Sequence, residues 1–280
     1  MNKLLRVSVA VVLLLGMAGG FAGCGLKSYE GFRYSPRDEG VVIRSYKEQS
    51  GRTVLEIPDE IEGRPVVRVE NFGAFNTSSV KTIVIGKNVR EIGEWAFTNN
   101  SGLTEFRVDE ENAQFSAVDG VLFSKDMKTL LYYPSKKGVT VDRGGRVTAK
   151  ASYTVPDGVE ILRSKAFYKC DNLETVVLPA TVTRIEEGAF HKATALREIT
   201  LPPNLEYIGK DAFAFCSNLT AMTVPARVTY IGEYAFFSCT GIQRLTMLCD
   251  KDAVTLGNRW YPTNNGMEIK ELVIEWNAAS

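Results

Sequence analysis

The side chains best suited to chemistry in this sequence are five cysteines and a single histidine. Cys170, Cys216 and Cys239 each stand three residues after a phenylalanine, whereas Cys249 lies outside this pattern. Because these three cysteines share one position after the phenylalanine, we predict that they are small buried side chains. A zinc site would need paired, convergent ligands, which this spacing lacks. A Cys216–Cys239 disulfide remains an alternative, because strands spaced about 4.8 Å apart satisfy its Cα limits. Parallel side-chain directions argue against that bond.

His191 follows a phenylalanine at a position where similar segments carry Tyr168, Ala214 and Phe237, so we expect it to face solvent. Histidine catalysis needs a nearby nucleophile and an orienting carboxylate, and no such constellation is apparent. The acidic run 109–111 lacks the glycine-spaced pattern of a calcium loop. Known phosphate-loop, zinc-protease and hydrolase motifs are also missing from the sequence. We therefore predict a protein that is not an enzyme and has no metal or cofactor.

The composition is that of an ordinary folded protein with balanced charge. The chain has 280 residues, of which 45% are hydrophobic, and 33 basic residues match 33 acidic ones. Binding to nucleic acid usually rests on clustered Lys and Arg against phosphate. We therefore do not expect a nucleic-acid partner.

The N-terminus has the features of an export signal. Lys3 and Arg6 precede an apolar run at 7–15, which is short for a bilayer span of about 20 residues. The following Phe21-Ala22-Gly23-Cys24 resembles a bacterial lipobox, which implies a signal peptide at 1–23 and lipid attachment at Cys24. An ordinary signal peptide with an incidental cysteine is the alternative. We expect an exported protein of the cell envelope or surface, with a tether at 24–40.

An internal repeat dominates the rest of the chain. An Ala-Phe pair recurs at intervals of 23 residues, ending at Phe167, Phe190, Phe213 and Phe236. Four further apolar positions keep the same interval, and Phe75 and Phe97 extend the pattern toward the N-terminus. Repeats of this length indicate a solenoid, because one unit cannot enclose its own apolar side chains and neighbours must stack.

Each unit contains a short strand and a compact turn. Val176 and Leu178 alternate in period two, which predicts a strand with one buried face, and Pro179 ends it. The segment 185–193 carries Ile185, Ala189 and Phe190 in a spacing that favours a helical turn. We expect the stacked units to share one continuous core.

The motif Ile-Gly-x-x-Ala-Phe-x-x-Cys-x-x-Leu, seen at 208–219, resembles the BspA-type (Treponema-type) leucine-rich repeat of bacterial surface proteins. The resemblance covers roughly residues 60–248. It implies a repeat solenoid, a right-handed leucine-rich-repeat horseshoe dominated by β-strands with short helical turns.

The irregular parts of the chain predict an insertion and two caps. Val118–Phe123 and Leu130–Pro134 form an expected β-hairpin within an irregular segment at 109–157. We expect an N-terminal cap at 41–68, repeats at 69–248 and a C-terminal cap at 249–280. Caps are needed because an end rung otherwise exposes core and unpaired backbone.

The strand positions that point away from the core are the candidate ligand-binding face. These positions are Thr82, Glu105, Arg107, Thr175, Val177, Glu198, Thr200, Thr223, Arg244 and Thr246. The threonine column at 200, 223 and 246 is either a binding floor or a ladder chosen for β-propensity. A second candidate patch contains Trp95, Tyr207, Tyr230 and Phe237, for which packing between adjacent rungs is the alternative.

These features together predict a lipid-anchored protein that works by binding another macromolecule. Solenoids commonly use an extended sheet face for this purpose. The repeat family's resemblance implies adhesion to host matrix, to cells or to envelope components, with a protein or glycan partner. The lipobox resemblance implies membrane attachment through Cys24. The alternative is a non-catalytic envelope scaffold or a polysaccharide-binding protein.

Overall fold

The computed structural model describes residues 26–70, 77–141, 143, 147–149, 151–264, 267–269 and 272–276. Within these ranges the chain forms strands joined by turns, without helices. Nowhere in the same ranges is there a helix of the length and apolarity needed to cross a membrane. The predicted signal peptide, Cys24 and Phe75 lie outside the described residues.

The first block of the structure, from Lys27 to Val108, contains nine strands. They are β1 (Lys27–Tyr29), β2 (Phe32–Arg37), β3 (Gly40–Tyr46), β4 (Val54–Glu56), β5 (Glu60–Ile61), β6 (Arg64–Val69), β7 (Thr82–Ile85), β8 (Glu91–Ile92) and β9 (Glu105–Val108). One sheet has the order β1-β2-β3-β6-β5 with β8 on β6, and a parallel ladder runs β4-β7-β9. The segment at 24–40, which was expected to be a tether, contributes β1 and β2 to this sheet. Phe32 and Tyr34 of β2 are buried in the core of the first rungs.

The irregular segment contains the expected hairpin together with further short strands. Its strands are β10 (Phe115–Val118), β11 (Val121–Ser124), β12 (Thr129–Tyr132), β13 (Thr140–Val141), β14 (Val147–Ala149) and β15 (Ala151–Thr154). β10, β11 and β12 form an antiparallel meander, which extends the predicted hairpin by one strand. β12 then pairs in parallel with the next repeat, with Leu130 opposite Leu162, so the hairpin serves as a rung of the solenoid.

The second block, from Ile161 to Trp276, contains the regular repeats and the C-terminal segment expected to be a cap. Its strands are β16 (Ile161–Leu162), β17 (Leu173–Val177), β18 (Arg184–Ile185), β19 (Glu198–Thr200), β20 (Tyr207–Ile208), β21 (Ala221–Val224), β22 (Tyr230–Ile231), β23 (Arg244–Met247), β24 (Thr255–Leu256), β25 (Thr263–Asn264), β26 (Met267–Glu268) and β27 (Val273–Trp276). The two-residue strands form one parallel ladder, β16-β18-β20-β22-β24, and the longer strands form two, β15-β17-β19 and β21-β23-β27. Ile274 and Trp276 of β27 pack on the core, and β27 pairs in parallel with β23 at the end of the repeats.

A third set of hydrogen bonds joins the rungs at the Ala-Phe turns. The Phe167 amide donates to the Ala189 carbonyl at 2.7 Å, and Phe190 and Phe213 repeat this bond one rung further each time. The residues two before and two after each phenylalanine have a left-handed backbone, as at Lys165 and Lys169. The expected helical turn is therefore wrong. Left-handed residues interrupt a right-handed helix. The amides alternate: those of Lys165, Phe167 and Lys169 bond to the next rung, whereas those between them bond to the residue three before in the same turn.

The predicted phenylalanine spine is confirmed. Phe167, Phe190, Phe213 and Phe236 are fully buried, and their ring centroids lie 4.8, 5.1 and 5.5 Å apart in succession. Neighbouring rings are within 7° of parallel. Tyr133 of the irregular segment adds a ring 5.2 Å from Phe167. The identical spacing in sequence therefore becomes one continuous stack.

The glycine of the Ile-Gly pair allows the rungs to approach closely. A Cβ at Gly232 would lie 2.3 Å from the backbone nitrogen of Lys210, and one at Gly257 would lie 2.2 Å from that of Glu233. Real Cβ atoms do not approach backbone so closely, so any side chain would push adjacent turns apart. The glycine is thus required by packing between rungs.

The core consists of two clusters where the sequence predicts one. In β11, Val121 and Phe123 belong to the cluster of the second block, whereas Leu122 between them belongs to the cluster of the first block. In β12, Leu130 belongs to the cluster of the second block and Leu131 to the cluster of the first block. Successive strand residues point to opposite faces, so a hairpin standing across the solenoid is buried on both sides. It separates the two cores while contacting each.

Candidate functional site

All ten candidate binding residues lie on the longer strands, whose outward side we call the strand face. The hairpin divides them into a first group on β7 and β9 and a second group on β17, β19, β21 and β23. β7 pairs with β9, β17 with β19 and β21 with β23, all in parallel, so within each pair outward residues 23 apart in sequence lie side by side. The strand face is therefore present as two separate surfaces.

In the first group the candidate residues bond mainly to each other. Thr82 is only 6% exposed, so its expected place on a binding face is wrong. Its hydroxyl donates to Oε1 of Glu105 on the next rung at 2.9 Å, and Arg107 pairs with the same carboxylate. Glu105 covers the threonine because the two side chains are opposite each other in the ladder. Of the three candidates in this group, only Arg107 is exposed.

The second group presents a larger exposed surface. Val177 is 48% exposed, and Glu198, Thr200, Thr223 and Arg244 are also exposed. The remaining two candidates, Thr175 and Thr246, are partly buried.

The parallel ladder of the second group is interrupted in its middle. β17 pairs with β19 and β21 pairs with β23, but β19 and β21, both fully described, do not pair. A hollow of about 440 Å³ opens at this break, lined by Ile199, Thr200, Leu201, Pro203, Ala221, Met222, Thr223, Pro225, Ala226 and Leu248. Ile199 is partly exposed there, whereas Val176 and Leu245 at the same repeat position are buried.

Sequence reasoning did not find this hollow, although it found two residues of its lining. Thr200 and Thr223, predicted from strand register alone, line the hollow from opposite sides of the break. The available sequence signal is Pro203, which stands where neighbouring repeats carry Ala180 and Ala226. The hollow is mostly apolar with a polar rim, which is the chemistry of a protein-binding surface.

The aromatic candidates do not form one patch. Tyr207 and Tyr230 stack at 4.8 Å on the side of the two-residue strands, with the Arg184 guanidinium 3.9 Å from the Tyr207 centroid. Trp95 and Phe237 lie elsewhere, on the side of the Ala-Phe turns, where each contacts rings of adjacent turns. Rings that cover each other favour the interpretation of packing between rungs.

His191 is part of the same packing, so its expected exposure to solvent is wrong. It is partly buried, with Tyr168 at 5.5 Å on one side and Phe215 at 5.3 Å on the other. Its Nδ1 is buried and has no hydrogen-bond partner among the described residues. Burial and the nearby charges of Lys165 and Lys192 lower the pKa of His191 to about 4. The ring is therefore neutral at pH 7.

The four cysteines that the structure describes are structural. Cys170, Cys216, Cys239 and Cys249 are buried and unbonded to one another. The Cys216 thiol donates to the Phe190 carbonyl at 3.1 Å, and Cys239 repeats this bond to Phe213 at 2.9 Å. Burial raises the pKa of Cys170 and of Cys216, so both stay protonated and unreactive. In the part of the chain that the structure describes, no three metal-ligating side chains converge.

Stacked parallel strands at 23-residue intervals, with an aliphatic and aromatic spine, define a leucine-rich-repeat solenoid. Residues 65–128 and 149–259 match the family model of the BspA type leucine rich repeat region in six copies. The chain therefore belongs to the BspA-type leucine-rich-repeat family. No curated protein matches it significantly.

Solved structures of bacterial repeat proteins share the fold. The pneumococcal vaccine antigen PcpA is 15% identical, with a TM-score of 0.52 over 87% of this chain and 92% of that one. A leucine-rich repeat protein from Eubacterium ventriosum is 18% identical, with a TM-score of 0.55 over 84% of this chain and 83% of that one. At these identities the likeness concerns architecture.

Proposed function

We propose that this protein mediates adhesion or protein–protein interaction through the second group of the strand face, by binding and without catalysis. The observation that carries the proposal is the hollow at the break between β19 and β21. Its apolar lining accepts an aliphatic or aromatic side chain of a protein partner. The exposed Glu198 and Arg244 supply polar contacts around it. This division into an apolar centre and a polar rim resembles known protein interfaces.

A charge placed in the hollow tests this proposal. We expect Thr223→Arg to weaken binding of the full chain to its partner by about tenfold or more, because it fills and charges the hollow. The readout is binding to a panel of immobilised extracellular-matrix proteins and to whole cells. Thr240→Arg is the matched control, since Thr240 is an exposed threonine on the side of the Ala-Phe turns. Equal binding by both variants would mean that the strand face is not the site.

We also propose that the chain is exported and held at the cell envelope by lipid on Cys24. The basic, apolar and small-residue order of residues 1–24 supports this, as does membership of a family named for bacterial surface proteins. Several acyl chains would anchor it durably, at about 0.8 kcal/mol per buried methylene. We expect Cys24→Ala to move the protein from the membrane fraction to the soluble fraction. Unchanged fractionation would exclude the lipid anchor.

A further inference from the structure

A polar cleft lies on the side of the Ala-Phe turns, where the two blocks meet. It has a volume of about 370 Å³, within the usual range for small-ligand sites. One wall is the turn at 98–101 of the first block, the other is the turn at 169–171 of the second, and residues 135–136 lie between them. The lining of the cleft includes none of the candidate residues of the strand face, so the cleft is a separate site from the one proposed above.

The hairpin unit creates this cleft because its turn is shorter than the turns on either side. Phe167 follows the strand residue Leu162 by five residues, and Phe97 follows Ile92 by the same number. Tyr133 takes the equivalent place in the hairpin unit, since its amide donates to Ala166 at 2.8 Å and its ring stacks on Phe167. It follows Leu130 by only three residues. A turn that is two residues shorter leaves a recess between its longer neighbours.

The side chains around the recess are almost all hydrogen-bonding groups. Thr98, Asn99, Ser101 and Ser135 contribute three hydroxyls and an amide, and Asn99 and Ser101 are exposed. Amides and hydroxyls both donate and accept, which suits a ligand bearing vicinal hydroxyls. The Thr98 hydroxyl donates to the Trp95 carbonyl at 3.1 Å and the Ser135 hydroxyl to the Asn100 carbonyl at 3.4 Å, so toward a ligand these two act as acceptors, while Asn99 and Ser101 can both donate and accept.

One positive charge in the cleft is uncompensated. Asp171 accepts from Lys136 at 2.9 Å and from Asn172 at 2.6 Å, so its carboxylate is occupied. Lys169 is exposed and forms no ion pair with any described residue, and its Nζ lies 5.2 Å from the Tyr168 ring centroid. A single free ammonium favours a ligand with an isolated carboxylate.

We propose that this cleft binds a short acidic saccharide, with Lys169 on the carboxylate and the side chains of 98–101 and Ser135 on the sugar hydroxyls. The repeat supplies a matched control for the cation. Lys192 stands one unit after Lys169, has the same left-handed backbone and is exposed outside the cleft. A comparison of these two lysines separates specific recognition from general attraction of anions.

The test is calorimetric titration of the full chain, in a detergent without a sugar headgroup, with trigalacturonate and with 3′-sialyllactose. We expect saturable binding of at least one of them and weaker binding of neutral maltotriose. Lys169→Gln should reduce affinity about tenfold or more, because it removes a charge-assisted hydrogen bond. Lys192→Gln should change it less than twofold.

Three results would overturn the proposal. One is the lack of saturable binding of both acidic sugars at millimolar concentration. Another is equal binding of citrate, which offers carboxylates without a sugar ring. The third is an equal loss of affinity in the two lysine variants. Circular dichroism confirms that each variant is folded, and none of these results bears on binding at the strand face.

Discussion

Replacing Phe213 with alanine should lower the free energy of unfolding by about 3–5 kcal/mol, the usual range for a buried Phe→Ala change. The ring is fully buried and stacks on Phe190 at 5.1 Å and on Phe236 at 5.5 Å. Truncation removes both stacking contacts and leaves a cavity between two rigid rungs. The measurement is urea denaturation followed by circular dichroism.

Phe237→Ala is the control for this experiment. Phe237 is the next residue after the spine in its turn and is partly exposed, with ring contacts only to Phe215 and Tyr234. We expect its loss to cost about 1 kcal/mol, within the usual range for a single substitution. An equal loss of unfolding free energy in the two variants would mean that the stacked phenylalanines stabilise the fold no more than a partly exposed ring does.

The second large effect is expected at Gly232, where alanine should cost roughly 3 kcal/mol, the upper end of the range for overpacking. The backbone there is not left-handed, so the penalty is purely steric. All three atoms nearest to an added Cβ belong to the backbone of Gly209 and Lys210, at 2.3 to 2.7 Å. Backbone cannot move aside as a flexible side chain does, so the two turns must separate.

Gly51→Ala distinguishes this steric effect from ordinary glycine strain. Gly51 has a φ of +77° with open space around it, so alanine there should cost about 1 kcal/mol through the backbone alone. Thermal unfolding of both variants measures the difference. A Gly232→Ala protein as stable as the parent would mean that the rungs are not held at this separation.

The repeated part of the fold was predictable because its signal is summed over many units. A lone Phe190 or Leu196 says little, but the same residue types at fixed intervals identify both the strand and the inward face. Strand register follows directly, which is why the outward positions Thr223 and Thr246 lie opposite each other on paired strands. The turn was not predictable in this way. Its apolar spacing suits a helix, yet every second amide of the turn bonds to the next rung.

The candidate sites were harder to predict than the fold, because each arises where the repeat departs from regularity. The hollow exists because β19 and β21 do not pair, and the cleft exists because one turn is two residues short. Thr82 occupies an outward position but is buried, since Glu105 on the next strand covers it. Such effects depend on the neighbouring rung, which the pattern within one unit does not include.

The sequence by itself determined the solenoid, the spacing of its rungs, the phenylalanine spine and the absence of a recognisable catalytic motif. These follow from local periodicity, which decides which side chains must be buried and forces identical units to stack. Only the tertiary structure decided that a hairpin divides the core and where the two recesses open. Contacts between rungs are non-local, so they depend on how unequal neighbours fit together in space.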